Sequence, residues 1–372
     1  MKVILTGGGT AGHVNPALAI AEELLYRDKQ CEILFIGREG GGENSAVERL
    51  GLPTKYLKVR GLERRLTLRN LEALRLAIRA KSEAERIIKE FKPDIAIGTG
   101  GYVCWPVLRA AAGLGVPTLI HESNVSAGLT ARALSRKCTA VLLNHRETAG
   151  YFPHAKEIIT VGNPLRRGFS ALNRDNARRA LGISIGEVFI VSVGGSGGAQ
   201  KINDVCISVM KNYSSQTRGI KHVHASGKKY FDGIDCDSLK KGVRGSKIIP
   251  YIEDMPLYLG AADIIVTRCG AVTLSEIALV GTPAILIPSP NVTDNHQYKN
   301  ASLLEKAGAA MMIPEEKLSE ETLTDKIRTL AESRERRRLL SEKIKSFASP
   351  GARGQIADII ERTVSESKFE KT

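Results

Sequence analysis

A histidine stands at the end of a glycine-rich turn near the start of the chain. The stretch GGGTAGHVNP, residues 7–16, follows an apolar run and places His13 where a helix is expected to begin. The dipole at a helix N-terminus disfavours the protonated imidazole, so a neutral histidine there can take a proton from a hydroxyl group. From residue types alone, a capping or packing role for His13 is the more common interpretation.

A second group of polar residues surrounds another glycine turn, GGSGGA, which begins at Gly194. Ser196 in this turn can offer a hydroxyl and a backbone N–H to a diphosphate. Arg166 and Arg268 are candidates for binding its charge, because a guanidinium matches phosphate geometry. Glu276, in GAVTLSEI, can accept both vicinal hydroxyls of a ribose. Taken alone, Glu276 is more often just a carboxylate that the dipole favours near a helix start.

The elements that must position these residues alternate between strand and helix. Residues 3–6 and 33–36 are short apolar runs, and a helical stretch lies between them. Asn15 can cap that helix, and Pro16 suits its first turn. Alternation of this kind predicts parallel sheets covered by helices on both faces.

The pattern then repeats. DIAIGTGGY, from Asp94, resembles DIIVTRCGA, from Asp263, and GVPTLIHESN (115–124) resembles GTPAILIPSPN (281–291). GGSGGA takes the place in the second half that GGGTAGH takes in the first. We therefore predict two Rossmann-like domains, over residues 1–163 and 164–350, joined near 162–169. A C-terminal helix over 351–372 could return to the first domain.

Length, composition and charge limit the classes of protein to which this chain can belong. A chain of 372 residues exceeds what one core usually serves. No apolar run spans a bilayer, and no signal peptide precedes the first strand, so a cytoplasmic protein is expected. The six cysteines form no CxxC pair and are expected to be reduced and structural: they are Cys31, Cys104, Cys138, Cys206, Cys236 and Cys269. A net charge of +14 suits anionic lipid or phosphorylated small molecules, and no nucleic-acid motif accompanies it.

Two other kinds of site, a dinucleotide site and a metal site, each match one motif of this sequence. GGGTAG formally fits the dinucleotide fingerprint, with Glu39 as a ribose ligand, but a dehydrogenase needs one such turn and both halves carry one. Two facing domains suit a nucleotide-activated substrate and an acceptor better. The pair Asp235 and Asp237 has the Asp-x-Asp form of metal-using glycosyltransferases, yet its polar surroundings indicate a surface loop. We therefore expect no metal.

Several motifs together resemble the MurG family, the bacterial UDP-N-acetylglucosamine transferases that convert lipid I to lipid II in peptidoglycan synthesis. They run in family order from residue 7 to about 310. These motifs are GGGTAGHVNPALAIA, GTGGYV, HESNVSAGLT, VGNPLR, GGSGGA, YIEDM, GAVTLSEIALVGTPAILIP, DNHQYKNA and LLEKAGAA.

The resemblance implies a GT-B fold, in which two Rossmann-like domains face a cleft. It implies inverting transfer of N-acetylglucosamine to the 4-hydroxyl of the muramoyl sugar of lipid I, with His13 as the catalytic residue and no cofactor. Tyr251 and Ile252 would contact uracil. The implied substrate-binding residues, with Arg268 added from its residue type, are Thr10, Ala11, Gly12, Asn124, Arg166, Ser196, Tyr251, Ile252, Arg268, Ala271, Val272, Thr273, Leu274, Ser275, Glu276 and Gln297.

The chain departs from the commoner family pattern at Ser123, Trp105 and Cys269, none of which has an assigned role. Related enzymes stay open as alternatives: another GT-B enzyme such as a diacylglycerol glucosyltransferase, or a UDP-N-acetylglucosamine 2-epimerase. A non-catalytic nucleotide sensor would keep Glu276 and Ser196 and have no need of His13.

The lipid-linked acceptor implies peripheral binding at the cytoplasmic face of the anionic inner membrane, beside other cell-wall synthesis proteins. Residues 58–92 are the best candidate docking surface, with 11 basic and 5 acidic residues. An apolar stripe there could enter the membrane interface or pack on the domain's own sheet. The stripe and its flanking arginines are Leu66, Leu68, Leu71, Leu74, Ile78, Arg64, Arg65, Arg69, Arg75 and Arg79.

Overall fold

The computed structural model describes residues 1–41, 47–48, 50–61, 68–169, 173–195, 197–234 and 246–369, with the backbone alone of residues 68 and 69. The chain divides into two compact units. Unit 1 comprises Met1–Arg167 and Ser349–Thr372, and unit 2 comprises Gly168–Ala348.

Unit 1 is built on a seven-stranded parallel sheet with the order β3-β2-β1-β4-β5-β6-β7. Its strands are β1 (Lys2–Thr6), β2 (Glu32–Arg38), β3 (Thr54–Leu57), β4 (Ile95–Gly98), β5 (Thr118–Glu122), β6 (Ala140–Leu143) and β7 (Ile158–Thr160). The helices that connect them are α1 (Ala11–Arg27), α2 (Leu68–Phe91), α3 (Cys104–Gly113) and α4 (Leu129–Ser135).

Unit 2 is built on a six-stranded parallel sheet with the order β10-β9-β8-β11-β12-β13. Its strands are β8 (Val188–Val193), β9 (Ile220–Ala225), β10 (Lys247–Ile249), β11 (Ile264–Thr267), β12 (Ala284–Leu286) and β13 (Met311–Met312). Its helices are α5 (Arg174–Ala180), α6 (Gln200–Val209), α7 (Lys228–Phe231), α8 (Met255–Ala261), α9 (Ala271–Val280), α10 (His296–Lys306), α11 (Glu320–Ala331) and α12 (Arg334–Lys345). A π-helical turn, Met210–Ser214, follows α6.

The chain then returns to unit 1 through α13 (Ala352–Phe369). Ile356 and Ile360 of this helix lie in the same apolar core as Leu24 of α1. Arg353 on α13 bonds to Glu23 of α1, with 2.8 Å between Nε and Oε2.

Each sheet has an apolar core on both faces, which is why its strands are apolar throughout. In β1, Val3 and Leu5 face one core of unit 1 and Ile4 faces the other. In β8, Val191 faces one core of unit 2, and Ile190 faces the other. Side chains that alternate across a strand serve both layers of helices in turn.

The predicted internal repeat is confirmed by the strand orders. Strands β1, β4 and β5 lie side by side in unit 1, and β8, β11 and β12 lie side by side in unit 2. The matched segments DIAIGTGGY and DIIVTRCGA contain β4 and β11, which pair with β1 in unit 1 and with β8 in unit 2.

The predicted start of the first helix is wrong. Helix α1 begins at Ala11, after an extended Thr10, so Asn15 is not its cap and Pro16 lies inside it. A cap at Asn15 implied a turn that extends to residue 14, whereas the chain enters the helix directly after Thr10. Pro16 is tolerated because only one bond is lost, the one that its missing N–H would have made to the Gly12 carbonyl.

Among the helices of the described ranges, none combines the length and the apolar character needed to cross a membrane.

Candidate functional site

The turns after β1 and β4 meet at the point where the strand order of unit 1 reverses. Open parallel sheets bind their ligands at such switch points, beyond the carboxyl ends of the strands. The Gly8 N–H donates to the Gly100 carbonyl at 3.2 Å. Gly101 has a φ of +87°, and a side chain there would overlap the Gly8 carbonyl. Because residue 101 is a glycine, the backbones of the two turns can pack in direct contact.

The first turn of α1 places His13 against both of these turns. The Nδ1 atom of His13 lies 3.0 Å from the Gly8 carbonyl oxygen. That oxygen can only accept, so a neutral His13 carries its proton on Nδ1 and has Nε2 as its basic nitrogen. A Cβ on Gly100 would lie 2.5 Å from the ring carbon Cδ2, so only glycine fits beside the imidazole.

Two threonines contact His13, one at its backbone and one at its ring. Thr99, at the end of β4, donates its hydroxyl to the His13 carbonyl at 2.6 Å. The hydroxyl of Thr10 lies 3.3 Å from His13 Nδ1. Thr10 is the N-cap of α1, and Ala11 and Gly12 form its first residues, so the four residues predicted around this turn do lie together. The sequence analysis gave Thr99 no role, although the motif GTGGY that contains it indicates a turn after a strand.

Asn124 lies in the loop after β5, where Glu122 holds it. Glu122 Oε1 accepts the backbone N–H and the side-chain amide of Asn124, both at 3.0 Å. Its other oxygen accepts the Gly128 N–H at 2.8 Å. The orientation of the Asn124 amide therefore depends on a buried carboxylate.

Arg166 belongs to unit 1, where its Nε donates to Glu22 of α1 at 2.7 Å. The structure therefore places Arg166 and Glu276 in different units. Ser196, the other residue predicted to bind the diphosphate, lies outside the described residues, as does the Asp235–Asp237 pair.

The glycine turn of unit 2 follows β8 and leads into α6. Gly195 and Gly198 have φ values of +90° and +75°, which favour glycine. The Cγ atom of Arg268, after β11, lies 3.8 Å from the position of a Cβ on Gly195. The Arg268 guanidinium pairs with Glu315 and donates to the Ile287 carbonyl at 3.3 Å. Its charge is thus partly compensated within unit 2.

Helix α9 carries six of the predicted binding residues, from Ala271 to Glu276. Val272 and Leu274 are buried, so they can reach a ligand only through their backbone. Thr273 is less buried, and Ser275 donates its hydroxyl to the Ala271 carbonyl at 3.1 Å.

Glu276 lies on the sixth position of α9, as expected for a residue in the first turns of a helix. Burial raises the pKa of its carboxyl to about 8. A carboxyl that is costly to ionise without a partner suits a ligand that donates hydrogen bonds to it.

Gln297, on α10, joins two of the loops at the carboxyl edge of the sheet. Its Oε1 accepts the Cys269 N–H at 3.2 Å and the Ser289 N–H at 2.9 Å. The amide nitrogen of Gln297 is then the group that can donate to a ligand. Tyr251 and Ile252 follow β10, with Tyr251 exposed and Ile252 buried.

The three departures from the family pattern all face inward. Trp105 packs against a core of unit 1, and Cys269 is buried in a core of unit 2. Ser123 is buried, with its hydroxyl 3.4 Å from His121 Nδ1. In the described part of the chain, no group of three or more His, Cys, Asp or Glu side chains could hold a metal ion.

Comparison with known proteins gives two family matches. The glycosyltransferase family 28 N-terminal domain matches residues 3–143, and the family 28 C-terminal domain matches residues 189–362.

Individual relatives match over nearly the full length. The chain is 41% identical over 360 residues to the UDP-N-acetylglucosamine–N-acetylmuramyl-(pentapeptide) pyrophosphoryl-undecaprenol N-acetylglucosamine transferase of Acetivibrio thermocellus, which covers 97% of each chain. It is 42% identical over 339 residues to the protein of the same name from a Thermoanaerobacter species, covering 90% of this chain and 92% of the relative. The crystal structure of Acinetobacter baumannii MurG superposes with a TM-score of 0.76 at 28% identity, covering 97% of this chain and 99% of the other.

Proposed function

This chain belongs to glycosyltransferase family 28, and within it to the MurG family, and from that premise we propose how its residues carry out the reaction. It transfers N-acetylglucosamine from UDP-N-acetylglucosamine to N-acetylmuramyl-(pentapeptide) pyrophosphoryl-undecaprenol, which converts lipid I to lipid II. The observation that carries this function is the identity of 41% across 97% of both chains. The GT-B fold and the activity expected from the sequence are confirmed.

Unit 2 binds the donor in this proposal. The partly buried carboxyl of Glu276 accepts the two ribose hydroxyls, which compensates the cost of ionising it. The backbone N–H groups at the start of α9 and the glycine turn after β8 meet the diphosphate. Ile252 and Tyr251 contact the uracil, and the Gln297 amide nitrogen donates to the sugar.

Unit 1 supplies the base. The hydrogen bond from His13 Nδ1 to the Gly8 carbonyl orients Nε2 as the proton acceptor. The 4-hydroxyl oxygen of the muramoyl sugar forms a bond to the anomeric carbon of N-acetylglucosamine. The bond from that carbon to the UDP oxygen breaks, and UDP leaves with the electron pair. The hydroxyl proton moves to His13, and the configuration at the anomeric carbon inverts.

The decisive experiment is a turnover assay with UDP-N-acetylglucosamine and a short-chain lipid I analogue. Formation of the lipid II analogue and of UDP in equal amounts is the expected result. A product only with diacylglycerol would favour the lipid glucosyltransferase. Epimerised donor without acceptor would favour the epimerase, and UDP binding with no turnover would favour a nucleotide sensor.

Peripheral binding to the anionic cytoplasmic face of the cell membrane is a second part of the proposal. Helix α2 has two apolar faces, and the face in a core of unit 1 includes Ala80, Ala84 and Ile87. The side chains of Leu71, Leu74 and Ile78 are instead 57%, 52% and 56% exposed. This exposure supports the docking surface over the alternative left open by the sequence, in which the stripe packs on the unit's own sheet.

Basic residues accompany the exposed stripe. Arg75 and Arg79 are exposed on the same helix, whereas residues 62–67 and the side chain of Arg69 lie outside the description. Apolar side chains that enter the interface and arginines that meet anionic headgroups act together, each basic residue contributing about 1 kcal/mol near the surface.

Vesicle co-sedimentation tests the docking surface. Replacement of Leu71, Leu74 and Ile78 by serine should abolish binding to vesicles of phosphatidylglycerol and phosphatidylcholine while UDP affinity stays unchanged. The matched control replaces exposed apolar residues of unit 2, Ile185 and Leu339, by serine. Equal sedimentation of the two variants would contradict this surface as the docking site.

A further inference from the structure

Buried polar side chains form a continuous chain of hydrogen bonds beneath the central strands of unit 2. They come from β8, β9, α6 and the π-helical turn that follows α6. All are buried to 1% exposure or less. In order, the members of this hydrogen-bond chain are Ser214, His222, Ser192, His224, Asn203 and the carbonyl group of Ser226.

One hydroxyl joins the two histidines. Ser192 Oγ, on β8, lies 2.8 Å from His222 Nε2 and 2.8 Å from His224 Nδ1, both on the neighbouring strand β9. At the far end, Ser214 Oγ lies 3.1 Å from His222 Nδ1. Each imidazole therefore uses both ring nitrogens.

At its other end the chain reaches the backbone. His224 Nε2 lies 3.1 Å from Asn203 Oδ1, and Asn203 Nδ2 donates to the Ser226 carbonyl at 3.0 Å. Asn203 is the fourth residue of α6, the helix that the glycine turn leads into.

The Ser226 carbonyl determines which atom is the donor and which the acceptor in every hydrogen bond of the chain. The Ser226 carbonyl can only accept, so the Asn203 amide nitrogen faces it and the amide oxygen faces His224. His224 must then donate from Nε2, and its Nδ1 accepts from Ser192. The single hydroxyl proton of Ser192 is used in that bond, so Ser192 accepts from His222 Nε2.

This assignment of donors and acceptors requires both imidazoles to be neutral, and burial keeps them neutral. Desolvation lowers the pKa of His222 to about 3 and that of His224 to about 4. The proximity of His224 lowers the pKa of His222 further.

The segment that receives the last bond is packed against the glycine turn. A side chain on Gly198 would overlap the Ser226 carbonyl, and a Cβ on Gly227 would lie 2.7 Å from the Gly198 Cα. The two backbone segments are thus in direct contact at Gly198. Any shift of Ser226 would therefore displace Gly198.

We propose that the hydrogen-bond chain from Ser214 to Ser226 is a positioning device that fixes Gly198, at the end of the glycine turn that binds the donor diphosphate. This inference rests on the assignment of the diphosphate to that turn. His222, Ser192 and His224 touch no substrate in it, and they act through Asn203 and Ser226.

Removal of the central hydroxyl tests the proposal. Ser192→Ala should raise the Kd for UDP, measured by calorimetry on the full chain, and the KM for UDP-N-acetylglucosamine by roughly 3- to 10-fold, with kcat little changed. The matched control is Thr282→Val, which removes another buried hydroxyl of unit 2, bonded to the Leu259 carbonyl at 3.0 Å. The control should lower thermal stability and leave the UDP Kd unchanged.

A second pair of variants tests the last side-chain link. A glutamine amide at position 224 can still donate to Asn203 Oδ1, whereas leucine cannot. His224→Gln should therefore retain more UDP affinity than His224→Leu. Equal losses in both variants would assign His224 a packing role only and would overturn the proposal.

Nitrogen-15 NMR of the wild-type imidazoles tests the direction of the bonds without any substitution. Both His222 and His224 should be neutral at pH 7 and protonated on Nε2. Protonation of either ring on Nδ1 would overturn the chain while leaving the proposed function intact. A wild-type chain that does not bind UDP would overturn the donor assignment and this inference with it, whereas unchanged UDP affinity in Ser192→Ala would overturn the inference alone.

Discussion

At the scale of single residues, the proposed role of His13 as a base depends on which of its ring nitrogens is free to accept a proton. The Gly8 carbonyl decides this, because it accepts from Nδ1. His13→Ala should lower turnover by ~10²–10⁴, since a general base acts in the transition state, and should leave UDP binding nearly intact. A rate assay combined with UDP calorimetry measures both. His154→Ala, at an exposed histidine of the same unit, is the control. Near-normal turnover of His13→Ala would remove His13 from the chemistry.

The raised pKa of the partly buried Glu276 carboxyl predicts a pH-dependent affinity for UDP. With a pKa of about 8 in the unliganded chain, it is mostly protonated at neutral pH. Ribose hydroxyls that donate to it favour its ionised form, so UDP affinity should rise as pH increases toward 8, by up to about tenfold per pH unit. Calorimetry between pH 6 and 9 measures this.

Glu276→Gln supplies the control for that titration, because the amide cannot ionise. We expect UDP binding to weaken by about 1–3 kcal/mol at pH 8 and the pH dependence assigned to this group to disappear. If the variant and the wild type share one pH profile and one affinity, Glu276 is only a helix-start carboxylate.

At the scale of elements, strand β9 predicts sensitivity to acid. Its histidines have pKa values of about 3 and 4 in the folded chain, below the ordinary 6.5. The unfolded chain therefore binds more protons below pH 6.5, and stability that is present above that pH is lost as the pH falls toward 4. Each group contributes about 1.4 kcal/mol per pH unit in that window.

The change of the melting temperature of unit 2 with pH, measured between pH 6.5 and 5, checks this predicted loss of stability. His222→Leu removes one titrating group, so its slope should be smaller than that of the wild type, although its stability at pH 7 is lower because Ser192 and Ser214 lose a partner. Thr282→Val supplies a control, since it removes a buried hydroxyl of unit 2 and no titrating group, and it should keep the wild-type slope. An unchanged slope in His222→Leu would contradict the assignment.

At the scale of the whole molecule, the C-terminal helix belongs to the unit at the other end of the sequence. Ile360 of α13 is fully buried in the core that contains Leu24 of α1. Ile360→Ala should lower the free energy of unfolding of unit 1 by about 2–5 kcal/mol, through lost burial and the cavity left behind. Chemical denaturation followed by a probe in unit 1 measures the loss.

An exposed ion pair on the same helix gives the contrast. Glu361 pairs with Arg27 at 3.3 Å with half of its side chain exposed. Glu361→Ala should cost less than about 1 kcal/mol, because solvent screens the pair. Equal effects of the two substitutions would mean that α13 is held by charge instead of by burial.

The sequence by itself determined the features that depend on short-range pattern. The apolar run at residues 188–193 is strand β8, and Glu276 lies near the start of a helix, both as predicted. The repeated strand and turn segments predicted the paired sheets, and the ordered motifs predicted the family. Local periodicity and glycine turns are encoded by neighbouring residues, so these features could be predicted without knowledge of the packing.

Only the tertiary structure decided what depends on residues distant in sequence. Pattern alone could not say which of the two apolar faces of α2 is buried, because both recur at helical spacing. Packing against a core of unit 1 buries Ala84 and leaves Leu71 exposed. Ser192 and His222 are 30 residues apart and meet because β8 and β9 are neighbours in the sheet. The proton position on His13 likewise depends on a carbonyl brought to it by the turn. Strand order and close packing create these contacts, and a linear pattern of residue types does not record them.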